Sequence, residues 1–173
     1  TSGVWHYARG IAFSAKGQAE DAKRELGELE KILGAVSPDR TLAFFFRTRN
    51  VLQLAANVLA AEIAAKAADT ATAARLLQAA VAEQDTHWFT EPPPWYFPVR
   101  QSLGAVLLQA GRARDAEQVY RDDLARNPNN GWSLFGLAQS LRAQGKTAEA
   151  TEVDARFRKA WAKADVTITA SRY

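Results

Sequence analysis

The sequence predicts an all-α fold, a right-handed superhelix of about four antiparallel helix pairs with an irregular second unit and an extended C-terminal tail. Three observations predict it. Ala and Leu abound, while Gly (10), Pro (6) and β-branched residues are few among 173 residues, which is a helix-forming composition. A pattern of small and large residues recurs after 34 positions, so that Leu103, Gly104, Leu107, Gly111 and Ala116 are answered by Leu137, Ala138, Leu141, Gly145 and Ala150. Turn-forming residues fall between the apolar-periodic stretches, at Gly17, Ser37-Pro38-Asp39, Asp69-Thr70, Gly111, Asn127-Pro128 and Gly145.

The first unit covers about residues 3–36, with helices near 4–15 and 19–33. Gly10, Phe13, Gly17, Ala22 and Leu26 take its packing positions, and Gly34 supplies a helix stop. The second unit, about 41–85, is enlarged. Thr41 to Ala67 reads as one apolar-periodic helix of about 27 residues, about 40 Å long. Its partner runs from Thr70 to Gln84, N-capped by Asp69, with Ala73, Leu77 and Ala80 facing inward. Asp85 to Val99 (DTHWFTEPPPWYFPV) cannot be helical, because three consecutive prolines remove donors and force extended geometry; it predicts a stiff aromatic loop. The third unit spans 97–129, with helices near 97–110 and 113–126, and the fourth 130–164, with its second helix near 147–164. The tail, 165–173, alternates apolar and hydroxylic residues, and without a sheet to join it should lie against the last helices. The four units read as a single repeat domain over 1–173. With no methionine and an opening Thr1-Ser2, the chain reads as part of something longer.

Composition excludes several functions. There is no cysteine, hence no disulfide, thiolate metal site or thiol nucleophile. No run of 18 apolar residues offers a membrane span. The net charge is +3, and residues 1–130 carry 15 charges of each sign, so the basic excess is too mild for a nucleic-acid footprint. No Gly-x-Ser-x-Gly or His-Glu-x-x-His motif occurs. Gly145-Lys146-Thr147 is a repeat turn, because Ser140 stands where a phosphate loop needs glycine and a helix precedes it.

Tyr96 to Asn129 forms one complete unit, Arg100-x-x-Leu103-Gly104-x-x-Leu107, Gly111, Ala116-x-x-x-Tyr120, Pro128. It is similar to the tetratricopeptide repeat, with Arg and Leu where the consensus has aromatics. EPPPWYFPVRQSLGAVLLQAG (91–111), RNPNNGWSLFGLAQSLRAQGK (126–146), ADVTITASRY (164–173) and WHYARGIAF (5–13) further resemble the C-terminal region of long bacterial tetratricopeptide-repeat proteins of unassigned activity. The resemblance implies a larger, exported parent; the absence of cysteine fits the periplasm and does not exclude the cytoplasm. It carries over no catalytic residue and no cofactor.

In regular repeats of this kind the first helix of each pair lines a concave groove. The matching positions nominate Tyr7, Gln101, Trp132, Phe135, Gln139 and Arg142 as partner-binding residues, with Ile11, Glu62, Ala105 and Gln109 beside them. That mixture of amides, rings and one cation suits an extended peptide or a docking helix. The Lys and Asn of carboxylate-clamping repeats are replaced by Tyr7, Ile11, Gln101 and Ala105, so a chaperone-type acidic tail is not expected in that groove. The expected function is a non-catalytic scaffold that binds a protein or peptide, or docks to the rest of its parent.

The alternative is an accessory domain that completes a small-molecule or metal site through the His87–Phe97 loop. The aromatic runs at 5–7, 44–46, 87–89 and 95–97 cannot all point into one core from a helix. They could line a ligand wall, join copies of the chain, or cover the seam of the irregular unit. His6 and His87, the latter with Glu91 four residues on, stand 81 residues apart and give metal binding no support. Arg47, Arg49, Asn50 and Asn57 on the long helix, and the basic helix over 149–163, admit both solvated and contact roles.

Overall fold

A computed structural model of the chain describes residues 2–42, 46–86 and 93–172. Its contacts divide into two compact units, Thr1–Val99 and Arg100–Tyr173, where the sequence predicts a continuous array.

The first unit holds two helix pairs, α1 (Ser2–Ala15) with α2 (Ala19–Ala35) and α3 (Thr48–Lys66) with α4 (Thr70–Asp85). Helix α3 is central and packs against α1, α2 and α4. Leu29, Leu59, Ala22, Ala55, Ala73 and Ala80 are fully enclosed, so small side chains bring the helices close while leucines fill between them. Ala73, Leu77 and Ala80 face inward as their spacing predicts, and Asp69 caps α4 by accepting from Thr72 N at 3.0 Å.

Two sequence expectations give way here. The residues described before Thr48 are not the first turns of α3: β1 (Thr41–Leu42) pairs antiparallel with β2 (Phe46–Arg47) in the register Thr41↔Arg47 and Leu42↔Phe46. A short apolar run has no periodicity that separates helix from strand. Phe46 is buried, and Arg47 becomes the extended residue that precedes α3. Helix α2 also runs through Gly34 to Ala35 and ends where Val36 turns extended, its N–H bonded to Ile32 O at 3.1 Å.

The second unit comprises α5 (Val99–Gln109), α6 (Ala113–Arg126), α7 (Gly131–Ala143), α8 (Thr147–Ala160) and a tail. Tyr120 of α6 lies at its centre. A Cβ placed on Gly104 of α5 or on Gly136 of α7 would strike the Tyr120 ring, so both glycines are needed for the helices to close on it. Helix α8 ends at Ala160, four residues short of the predicted end, and the tail follows without regular structure. Trp161 Nε1 donates to Val166 O at 2.8 Å, Ile168 is buried, and the Ser171 hydroxyl bonds the Tyr120 hydroxyl and lies 3.5 Å from Gln101 O. The tail is laid against helices, but where the sequence expects the last ones its anchors are on α5 and α6.

All four pairs turn by the same device. The N–H of Gln18, Asp69, Arg112 and Lys146 reaches back five residues to the carbonyl of Phe13, Ala64, Leu107 and Leu141 at 2.9–3.0 Å. The residue before each is left-handed: Gly17 (φ 74°), Ala68 (φ 61°), Gly111 (φ 71°) and Gly145 (φ 73°). Ala68 alone pays a steric cost for this conformation, because its Cβ crowds the following carbonyl.

Candidate functional site

Helix α7 starts where Asn130 accepts from Trp132 N at 3.0 Å and Ser133 N at 3.3 Å. Gly131, Ser133, Leu134, Gly136, Leu137, Ala138, Ser140 and Leu141 are all buried. The one stripe of the helix that reaches solvent carries Trp132, Phe135, Gln139 and Arg142, four of the residues nominated from sequence. Their spacing of three and four keeps them on one line.

The stripe is built jointly with α8. Trp132 meets Trp161 edge-on at 5.6 Å, Phe135 meets Phe157 at 5.5 Å, and Phe157 stacks on Trp161 at 5.8 Å. Both nominated rings therefore hold α8 and keep only part of their surface free. The Arg142 guanidinium pairs with Asp154 of α8. What the arrangement offers is a half-exposed ladder of four rings bordered by an amide and an ion pair.

The other two nominated residues do not present themselves to a partner. Tyr7 is 4% exposed; its ring meets Trp95 edge-on at 5.0 Å and its hydroxyl bonds Tyr96 Oη at 3.0 Å. Burial pushes its phenol well above the usual range, aided by the Tyr96 bond and the Glu62 charge. Gln101 is 2% exposed. Both correct the sequence expectation, which equated groove position with accessibility. At Tyr7 the aromatic neighbours Trp95 and Tyr96 turn the inner position into core. Ala105 is likewise buried, Ile11 and Glu62 are half-buried and Gln109 is exposed.

His87, Glu91 and the aromatics Trp88 and Phe89 lie outside the described residues, as do Phe44 and Phe45. In the described end of the proline-aromatic loop Trp95 is buried while Tyr96 is 69% exposed. Gln84 holds the chain there, donating to Phe97 O at 2.8 Å and accepting from Val99 N at 2.9 Å. His6 Nδ1 lies 2.7 Å from Glu25 Oε2, and Arg9 lies 3.3 Å from the other oxygen. Arg9 also sits 4.3 Å over the Trp5 ring. Among the described residues no group of three His, Cys, Asp or Glu could hold a metal, and no helix is long and apolar enough to cross a membrane.

Sequence reasoning missed a polar hollow of about 590 Å³ in the second unit, lined by Arg114, Glu117, Gln118 and Arg121 of α6 with Gln144 and Lys146. Glu117 is its hub. It is 2.8 Å from Arg121 Nη2, and its Oε2 accepts from Gln144 at 2.8 Å and from Lys146 at 2.7 Å. Burial alone would raise its pKa, but those bonds outweigh it and hold the carboxyl at about 2, so Glu117 stays ionised. The α6 half of the cluster was readable from helical spacing; Gln144 and Lys146 join it only through the α7–α8 turn.

A second buried carboxylate, Asp123, joins α6 to α7. It accepts from the Ser133 hydroxyl and from Asn127 Nδ2 at 3.1 Å. Burial raises its pKa against the pull of those bonds and of Arg100 and Arg126.

No family model matches the chain. A stretch is 46% identical over 59 residues to the Cellulose synthase 1 operon protein C of Komagataeibacter xylinus. That match covers 31% of this chain and 4% of the relative, so the chain spans a small part of that protein's length. The crystal structure of MamA superposes over 97% of this chain and 98% of its own, with a TM-score of 0.55 at 13% identity. Two other MamA structures, AMB-1 and MSR-1, reach a TM-score of 0.38. With its paired helices, its repeated turns and this likeness, the chain has the all-α fold of tetratricopeptide-repeat proteins.

Proposed function

We propose that the chain is a non-catalytic protein-interaction scaffold that receives a partner segment, or another part of its own parent chain, along α7. The observation that carries this reading is the single accessible stripe of an otherwise enclosed helix, bearing Trp132, Phe135, Gln139 and Arg142. Half-exposed rings beside an amide and a guanidinium supply an apolar anchor together with groups that pair with an extended backbone. The near-balanced charge suits protein better than nucleic acid. The fold supports the reading in kind, since helix pairs of this type expose extended surfaces rather than enclosed reaction sites.

The test is selection of peptides from a random display library on the folded chain, followed by affinity measurements on point variants. Phe135→Ala should weaken a selected peptide by about tenfold, the scale of a lost interface ring, while the melting temperature falls far less than in Tyr120→Ala. Charge reversal of Arg142 should weaken binding with the helical signal intact. If Phe135→Ala unfolds the protein as readily as Tyr120→Ala, Phe135 is core and the stripe is not a binding face.

A further inference from the structure

We infer that the hollow beside α6 is a second contact site, which takes a protein segment bearing neighbouring Asp or Glu side chains. The inference rests on the scaffold reading and gives one partner segment its chemistry. Three cations, Arg114, Arg121 and Lys146, line the hollow against a single carboxylate, Glu117. Glu117 is already engaged by Arg121, Lys146 and Gln144, so it organises the cations without neutralising them all. Two further acids stand nearby, Glu149 as a partner of Arg121 at 3.2 Å and Asp122 accepting from Gln118 at 2.8 Å, and both are exposed, where solvent screens them.

Arg114 decides the reading. Its side chain is exposed on the rim, and no described residue pairs with it. Its five donors form a planar fork suited to a carboxylate. Lys146 keeps two ammonium protons beyond the one given to Glu117, and Arg121 is anchored by the same carboxylate. Two of the cations are therefore held in place before any ligand arrives, which lowers the ordering cost of binding. A hollow of about 590 Å³ exceeds what one water or ion needs and accommodates several side-chain groups. Its lining is charged and amide-bearing, so an acidic segment fits and an apolar one does not. The site lies on the second helix of its pair and on the α7–α8 turn, away from the positions where carboxylate-clamping repeats carry Lys and Asn, and shares no residue with the α7 stripe.

The test is fluorescence anisotropy of a labelled octaglutamate peptide on the intact chain, beside octaglutamine, free citrate and inorganic pyrophosphate. Octaglutamate should bind with an affinity that falls steeply as salt rises from about 0.05 to about 0.5 M, and octaglutamine should not bind. Arg114→Glu should cost about tenfold or more, Arg114→Lys should lose less, and neither should move the melting temperature, because Arg114 makes no bond that folding needs. No binding by octaglutamate, or binding indifferent to Arg114→Glu, overturns the inference. Citrate or pyrophosphate binding as tightly as the peptide makes this a small-anion site and overturns the assignment to a protein segment. Peptides selected on the α7 stripe report separately. If they bind while octaglutamate does not, the scaffold reading stands and this inference alone falls.

Discussion

Tyr120 is a ring with no room to move, pressed by the backbones of Gly104 and Gly136 and tied at its hydroxyl to Ser171. Tyr120→Ala should cost about 3–5 kcal/mol in denaturant titration, the range for a fully buried aromatic. Tyr120→Phe keeps the packing but leaves the Ser171 hydroxyl with Gln101 O alone, and should cost about 1 kcal/mol. The opposite sign is expected at Ala68, which holds φ 61° where the other three pair turns have glycine. Ala68→Gly should raise stability by about 0.5–1 kcal/mol, measured in the same titration. These positions differ in how visible they were. Tyr120 and Gly104 stand at repeat positions and could be placed from spacing alone. Ala68 looks like an ordinary helix former, and its left-handed conformation is imposed by the turn around it. The burial of Tyr7 was hidden because Trp95 and Tyr96 reach it across about 90 residues of sequence.

Helix α6 shows how an element carries charge on one side and core on the other. Glu117 faces its hollow with a carboxyl held at about 2, below the ordinary 4.5. A depressed carboxyl stabilises the fold above its unfolded value, and that stability drains away as pH falls from about 4.5 towards about 2. Glu117→Gln should remove this part of the acid sensitivity, so its unfolding free energy should vary less over that window than the parent's in pH-stepped denaturation. Asp123 has the opposite sign: its raised pKa contributes stability at low pH that is lost as pH rises through the folded value. Helix existence was legible throughout, because apolar spacing and turn residues report directly on which face a helix buries. The two short strands before α3 were not. Thr41–Leu42 and Phe46–Arg47 continue the apolar run of α3 in sequence, and only their pairing with each other makes them strands. The α7 stripe was legible as a line of residues, but its sharing with Phe157 and Trp161 was not, since spacing shows a face and not its neighbour.

At the scale of the molecule, the pair turns at residues 17, 68, 111 and 145 stand 51, 43 and 34 positions apart, so only the last interval keeps the regular period. The extra residues lie in longer helices, α2 and α3 above all, and in the connections between pairs, and leave each pair's turn unchanged, which is why four pairs could be counted from sequence while the division after Val99 could not. A fragment of residues 100–173 contains its own core and the tail that closes it, and is expected to fold alone with a dispersed NMR spectrum and full helical signal. Here the chain from Tyr120 to Ser171 is fastened at both ends, and α7 and α8 lie inside the resulting loop. The α7–α8 pair cannot open without releasing Tyr120 at the centre of the preceding pair. Amide exchange over α5 to α8 should accordingly report one common opening event, and cutting the Tyr120–Ser171 tie should split it into an early and a late one.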